Sequence, residues 1–157
     1  MDEFISRQIL PQGKTVIVCI GNDLRADDGV GPYIASFLKI KSKDIKIINA
    51  FSVIENYIDE IIKFSPNKLI IIDAAFFDGE VGEIRILDEN KLSNYKIVST
   101  HSFPLDSILK IIREDLPKLE ITILAIQPQD IGYKEALSGK VKAAADEIIE
   151  LYNSLGR

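Results

Sequence analysis

The chain has 157 residues, 46% of them hydrophobic, and a formal net charge of -5. A chain of about this length buries roughly 70% of its unfolded surface in one core, so we expect one domain over residues 1–157. Acidic charge with scattered basic residues argues against nucleic acid or an anionic membrane as a partner. No apolar run approaches the ~20 residues of a membrane span, and one cysteine cannot form an internal disulfide. We therefore expect a cytoplasmic monomer.

Hydrophobic periodicity predicts alternating strands and helices after a lead-in segment of residues 1–13. Continuous apolar runs predict strands covered on both faces, whereas residues 83–87 alternate as an edge or antiparallel strand does. This order favours a three-layer α/β/α sandwich with a mostly parallel sheet. The predicted elements are strand Val16–Ile20, helix Pro32–Lys41, strand Ile45–Ile48, helix Ile54–Phe64, strand Leu69–Asp73, strand Glu83–Leu87, strand Ile97–Ser99, helix Pro104–Leu116, strand Ile121–Ile126 and a helix from about Ser138 to Leu155.

The segment 20–32, Ile-Gly-Asn-Asp-Leu-Arg-Ala-Asp-Asp-Gly-Val-Gly-Pro, joins the first predicted strand to the first predicted helix. Ligands of open α/β sheets bind at such junctions, at the carboxyl edge of the strands. A phosphate would be repelled by Asp27 and Asp28, so the segment indicates a cation instead. Pro32 suits the first turn of the helix, which predicts a cap at Gly31.

Three ligand-capable side chains lie at or just after the ends of separate predicted strands. If strands 16–20, 69–73 and 97–99 are parallel neighbours, then Asp28, Asp73 and His101 emerge at one edge of the sheet. Two carboxylates and one imidazole are a ligand set suited to nickel, zinc or ferrous iron. The sequence therefore predicts a metal site at this edge.

Each of these residues also has a simpler interpretation. Asp28 could interact with a helix dipole, Asp73 could begin a turn, and a lone histidine is commonly a surface residue. The convergence of three segments favours the metal site over these alternatives. Cys19 lies inside a predicted strand, and we expect it to be an inert core residue.

Several stretches of the chain together resemble the hydrogenase maturation endopeptidases, which trim the large subunit of [NiFe] hydrogenases. Residues 21–31, Gly-Asn-Asp-Leu-Arg-Ala-Asp-Asp-Gly-Val-Gly, are similar to the family pattern Gly-Asn-x-Leu-x-x-Asp-(Asp/Glu)-Gly-x-Gly. Further matching stretches are Ile71-Ile72-Asp73-Ala74, Gly82-Glu83-Ile84-Arg85, Thr100-His101 and Ala125-Ile126-Gln127-Pro128. The segment after Thr100 and the Ile-Gln-Pro loop look closest to the branch that serves hydrogenase 3, the formate hydrogenlyase type.

This resemblance implies a twisted, mostly parallel, five-stranded sheet and a nickel-dependent, aspartyl-type endopeptidase. The implied substrate is the nickel-loaded large-subunit precursor, which loses a short C-terminal peptide. Nickel would come with that precursor, with zinc or cadmium able to replace it in crystals. The residues implied to contact nickel are Asp28, Asp73 and His101, with the two aspartates as candidate catalytic bases. Asp27, Gly29 and Gly31 would shape the loop, and Gln127 would lie on a substrate-facing loop.

Two other functions remain open from the sequence. One is a nickel-binding assembly or scaffold protein without peptidase activity. The other is a nucleotide-binding Rossmann domain, but its Gly-x-Gly-x-x-Gly spacing is absent after Gly21.

Overall fold

The computed structural model describes residues 1–97 and 104–156, which form six strands and five α-helices. Short 3-10 turns at Ala26–Gly29, Ile54–Tyr57 and Glu89–Asn94 supplement these elements. In chain order the elements are α1 (Glu3–Gln8), β1 (Thr15–Ile20), α2 (Val30–Phe37), β2 (Ile45–Phe51), α3 (Ile58–Phe64), β3 (Lys68–Phe76), β4 (Ile84–Leu87), β5 (Lys96–Ile97), α4 (Leu105–Asp115), β6 (Glu120–Ile126) and α5 (Gly139–Ser154).

The strands form one mostly parallel sheet in the order β2-β1-β3-β6-β4, with β5 added beside β3. β2, β1, β3 and β6 are parallel neighbours, whereas β4 lies antiparallel to β6 and β5 antiparallel to β3. The expected α/β class and the antiparallel edge strand are thereby confirmed. The described strands number six rather than five because the two-residue β5 pairs with the far end of β3.

Helices cover both faces of the sheet, which explains the continuous apolar runs of the central strands. Every residue of β1 is buried, and so are the first eight residues of β3. Side chains that alternate along these strands enter two separate cores. One core includes α3 and α4, represented by Ile61 and Ile108, and the other includes α2 and α5, represented by Ile34 and Ile148.

Two local expectations need correction. The lead-in segment contains α1, capped by the Asp2 side chain, whose Oδ1 accepts a hydrogen bond of 2.6 Å from the amide of Phe4. Helix α2 begins at Val30 with Gly29 at its cap, so Pro32 occupies the third helical position rather than the first. Proline is tolerated there because the amides of the first turn have no partner within the helix.

The expectation that the strand near residue 97 runs parallel to its neighbour is wrong. β5 pairs antiparallel with β3, with Lys96 opposite Phe76 and Ile97 opposite Ala75. The described chain therefore runs back along β3 from Phe76 to Ala75. The predicted residues Val98 and Ser99 lie outside the described residues.

The order of the strands creates a crevice at the centre of the sheet. After β1 the chain moves to one side, to β2, whereas after β3 it moves to the other side, first to the edge strand β4 and later to β6. Ligands of open α/β sheets bind at such a reversal, beyond the carboxyl ends of the strands. The segment that carries Asp28 follows β1, and Asp73 lies near the end of β3. Among the described helices, none combines the length and apolarity needed to span a bilayer.

Candidate functional site

The loop between β1 and α2, residues 21–29, folds tightly over the end of β1; we call it the first loop. Gly21 has a φ of +152° and lies against the carbonyl of Asp28, so a Cβ there would collide with that backbone. The Gly21 amide donates a 2.9 Å hydrogen bond to the carbonyl of Phe51, at the end of β2. Only glycine meets both requirements, the positive φ and the close approach.

Asp28 lies in the 3-10 turn Ala26–Gly29 of the first loop. Its side chain is buried, with 1% of the residue exposed, and its Oδ2 accepts a 3.2 Å hydrogen bond from the amide of Asn22. The turn packs against β3. A carboxylate is thus held inside the protein at the boundary between β1 and β3.

Asp73 lies near the carboxyl end of β3 and is also buried, with 2% of the residue exposed. Cys19 of β1 pairs with Ile72, so Asp73 is level with the last residue of β1, Ile20. Its Oδ1 accepts a 2.8 Å hydrogen bond from the amide of Ala74. The structure therefore brings the segments of Asp28 and Asp73 to the same edge of two neighbouring central strands.

Asp27 ties the first loop to residues 127–138 between β6 and α5, which we call the last loop. Its Oδ2 accepts hydrogen bonds from the amides of Gln129 and Asp130, at 2.8 and 3.0 Å, and from the hydroxyl of Ser138 at 2.8 Å. Its Oδ1 accepts a 2.7 Å hydrogen bond from the amide of Ser138. With none of its surface exposed, Asp27 is a structural residue that shapes the loop.

Backbone hydrogen bonds reinforce this link between the two loops. The amide of Ala26 donates to the carbonyl of Lys134 at 2.7 Å, and the amide of Asp27 donates to the carbonyl of Asp130 at 2.8 Å. The partners of Asp27 lie more than a hundred residues away in sequence, so the motif alone does not reveal them. Ser138 directly precedes α5, in the position of a helix cap, but its side chain makes no cap hydrogen bond to the helix. Its hydroxyl donates to Asp27 instead.

Gln127 begins the last loop, and its side chain has a structural role. Only 7% of the residue is exposed, and its Oε1 accepts hydrogen bonds from the amides of Phe77 and Gly79, at 2.9 and 3.2 Å. The side chain therefore fixes the turn that follows β3, and a substrate-facing role of the loop stays a prediction. The side-chain oxygen thus provides a hydrogen-bond acceptor for two backbone amides. The sequence motif did not indicate this role.

Cys19 is fully buried in β1, in agreement with its expected core role. Burial, and next the nearby charge of Asp73, raises the pKa of its thiol to about 12. A thiol of this kind stays protonated at neutral pH and is a poor nucleophile. Cys19 therefore does not act as the nucleophile of a cysteine protease.

The third predicted ligand, His101, lies outside the described residues. Within residues 1–97 and 104–156, no group of three or more His, Cys, Asp or Glu side chains is arranged to hold a metal ion. The described chain on either side of His101 reaches the face of the sheet to which Asp73 belongs. Ile97 pairs with Ala75, and Leu105 is buried in the same core as Leu69 and Ala75.

A family model described as hydrogenase maturation protease matches residues 33–154. The chain is 31% identical to the hydrogenase 3 maturation protease of Escherichia coli K12, over 86% of this chain and 86% of that protein.

Solved structures agree with this match. The crystal structure of a [NiFe] hydrogenase maturation protease from Thermococcus kodakarensis KOD1 superposes with a TM-score of 0.84 at 32% identity, covering 98% of both chains. The solution structure of an endopeptidase from E. coli, HycI, gives a TM-score of 0.78 at 28% identity, covering 90% of both chains.

The link made by Asp27 predicts a large loss of stability in Asp27→Asn. An asparagine places an amide donor at one of the two oxygen positions. With its oxygen in the place of Oδ2, its NH2 group meets the amide of Ser138, so that hydrogen bond is lost in a buried site, and the three remaining bonds lose the negative charge of their acceptor. We expect the free energy of unfolding to fall by about 3 kcal/mol. Urea unfolding followed by circular dichroism measures this change, and a loss below about 1 kcal/mol would contradict the assigned role.

Burial of Cys19 predicts a specific dependence of stability on alkaline pH. An unfolded cysteine ionises near pH ~8.5, whereas the native thiol keeps its proton to about pH 12. Between these values the unfolded state binds fewer protons, so stability falls as pH rises, by at most roughly 1.4 kcal/mol per pH unit.

Cys19→Ala removes this contribution, and the decline between pH 9 and pH 11 should be shallower than in the wild type. Urea unfolding at several pH values in that range, with both proteins in the same buffers, makes the comparison. Equal slopes for the two proteins would show that the thiol already ionises in the native state.

Proposed function

Since this chain belongs to the hydrogenase maturation protease family, we propose that it is a nickel-dependent endopeptidase that cleaves a [NiFe] hydrogenase large-subunit precursor. In this proposal it removes the C-terminal extension once nickel has been inserted. The observation that carries the proposal is the pair of buried carboxylates, Asp28 and Asp73, at the carboxyl ends of neighbouring strands β1 and β3. The name of the similar T. kodakarensis protein, a [NiFe] hydrogenase maturation protease, supports the substrate class.

Nickel in this proposal is part of the substrate. Asp28, Asp73 and His101 would contact the precursor's nickel, and the remaining ligands would come from the precursor itself. Carboxylate oxygens and a neutral imidazole are acceptable donors for this borderline metal. The approach of β5 along β3 supports the inclusion of His101, because it brings the described chain before His101 next to Ala75.

Hydrolysis needs a base, and the chain supplies two candidates. Asp28 or Asp73 would take a proton from a water molecule as the water oxygen attacks the scissile carbonyl carbon. The same carboxyl group would return that proton to the leaving amine when the C–N bond breaks. The metal, when bound, would supply Lewis-acid polarisation of the carbonyl. The protonated, buried Cys19 supports this aspartyl-type mechanism over a thiol mechanism.

Substitution of the predicted ligands separates catalysis from folding. Asp28→Asn keeps the shape of the side chain and an oxygen for the Asn22 amide, and His101→Ala removes the imidazole. We expect both variants to lose processing of the nickel-loaded precursor by at least about a hundredfold while they remain folded. Processing is measured as the mass shift of the precursor, and folding by circular dichroism.

Asp115→Asn is the matched control, because Asp115 is exposed at the end of α4. It should process the precursor at the wild-type rate. Unaltered processing by both site variants would refute the assigned roles. A precursor left intact by the wild type would instead indicate a nickel-binding assembly protein without peptidase activity.

The metal dependence has its own test. The precursor purified from nickel-depleted cells should remain uncut, because the three side chains then lack the ion that they recognise. Addition of nickel to that precursor in a form that restores its metal content should restore cleavage. Equal cleavage of nickel-free and nickel-loaded precursor would show that nickel is dispensable.

A further inference from the structure

A pocket of about 310 Å³ opens beside the first loop. Its walls come from four segments: the first loop, the start of α2, the end of β2 and the last loop. Gly29, one of the lining residues, directly follows Asp28. A group bound in this pocket would therefore contact the turn that carries Asp28, whose own side chain is buried and does not line the pocket.

The walls of the pocket are tied to the candidate site by hydrogen bonds already described. Phe51 accepts a hydrogen bond from Gly21 through its carbonyl, and Ala26 donates to Lys134 of the last loop. Tyr33, on α2, donates a 2.7 Å hydrogen bond from its hydroxyl to Asp146 of α5. The pocket thus has a preformed shape and a fixed position relative to Asp28.

Two lining residues have an unusual backbone. Ala26 and Phe51 adopt φ values of +48° and +49° without being glycine. Such conformations cost about 1 kcal/mol or more each and concentrate at functional sites. The conformation of Phe51 accompanies a large apolar side chain that is 44% exposed at the pocket.

The lining determines which groups the pocket accepts. Apolar Pro32, Phe51 and Leu137 line it together with the acidic residues Asp23 and Glu135, and among the described residues no lysine or arginine does so. This surface favours an apolar side chain and repels an acidic one. The volume lies at the lower limit of small-ligand pockets, which suits a short piece of polypeptide.

We propose that this pocket binds a non-acidic side chain of the precursor polypeptide, from a residue close to the bond that is cut. This inference rests on the proposed function and adds a specificity pocket to it. Its occupant is a segment of the precursor because the turn Ala26–Gly29, which carries Asp28, forms part of the pocket wall. The pocket supplies binding energy that is the same in the bound substrate and in the transition state, so its loss raises KM and leaves kcat nearly unchanged.

Ala136→Phe tests the proposal by filling the pocket. Ala136 is exposed on the last loop, so a larger side chain can enter the pocket without disturbing the core. We expect the KM for the nickel-loaded precursor to rise about tenfold, with kcat within about threefold of the wild-type value. Ser36→Phe, from an exposed position on α2 that also lines the pocket, should act in the same direction and serves if the first variant does not fold.

Ala143→Phe is the matched control. Ala143 is exposed and lines a second pocket of about 300 Å³, which contains no residue of the first loop. This variant should keep the KM of the wild type. Wild-type KM values in folded Ala136→Phe and Ser36→Phe would overturn the proposal, as would a change in oligomeric state in ultracentrifugation without a change in KM.

The experiment also distinguishes this inference from the proposed function. If the wild type does not cut the precursor, the proposed endopeptidase function is wrong. Binding of the precursor in the pocket is then tested by Kd values measured by calorimetry with the same precursor. Weaker binding by Ala136→Phe than by Ala143→Phe would still support the pocket. Equal Kd values for the wild type and both variants would overturn it.

Discussion

One buried carboxylate, that of Asp27, organises the edge of the sheet on which the candidate site depends. It accepts four hydrogen bonds from the last loop while its own backbone belongs to the first loop. A buried charge is tolerated only when its oxygens are satisfied in this way, so the two loops must fold together. The next residue, Asp28, is thereby directed toward β3. Of these two adjacent aspartates, Asp27 has a structural role and Asp28 is the proposed ligand and candidate base.

The reversal of strand order between β1 and β3 is the second feature that defines this edge of the sheet. β1 and β3 lie side by side at the centre of the sheet, but the chain leaves them in opposite directions. The first loop covers the end of β1, and Asp28 and Asp73 lie buried beneath the surface there. The pocket beside Gly29 lies on the β2 and α2 side of the same loop.

The sequence was sufficient for the parts of the fold that depend on apolar periodicity. β1, β3 and β6 were predicted because each is buried over most of its length, as the inner strands of a parallel sheet are. The predicted direction of β5 was wrong. A strand of two residues has no hydrophobic periodicity, so the sequence does not indicate how it pairs with β3. Asp28 and Asp73 were found from their positions after one predicted strand and at the end of another, although their role as ligands stays a prediction. The resemblance implied that Asp27 shapes the first loop, but the hydrogen-bond partners of Asp27 and Gln127 were not accessible, since they lie in distant loops.

The proposed mechanism requires that Asp28, Asp73 and His101 contact one metal ion. A crystal structure of the protein soaked with nickel, with anomalous differences recorded on both sides of the nickel absorption edge, tests this requirement. We expect one strong peak at the carboxyl ends of β1 and β3, within about 2.0–2.2 Å of oxygen or nitrogen atoms of all three side chains. A peak held by other residues, or an imidazole of His101 directed away from both carboxylates, would contradict it.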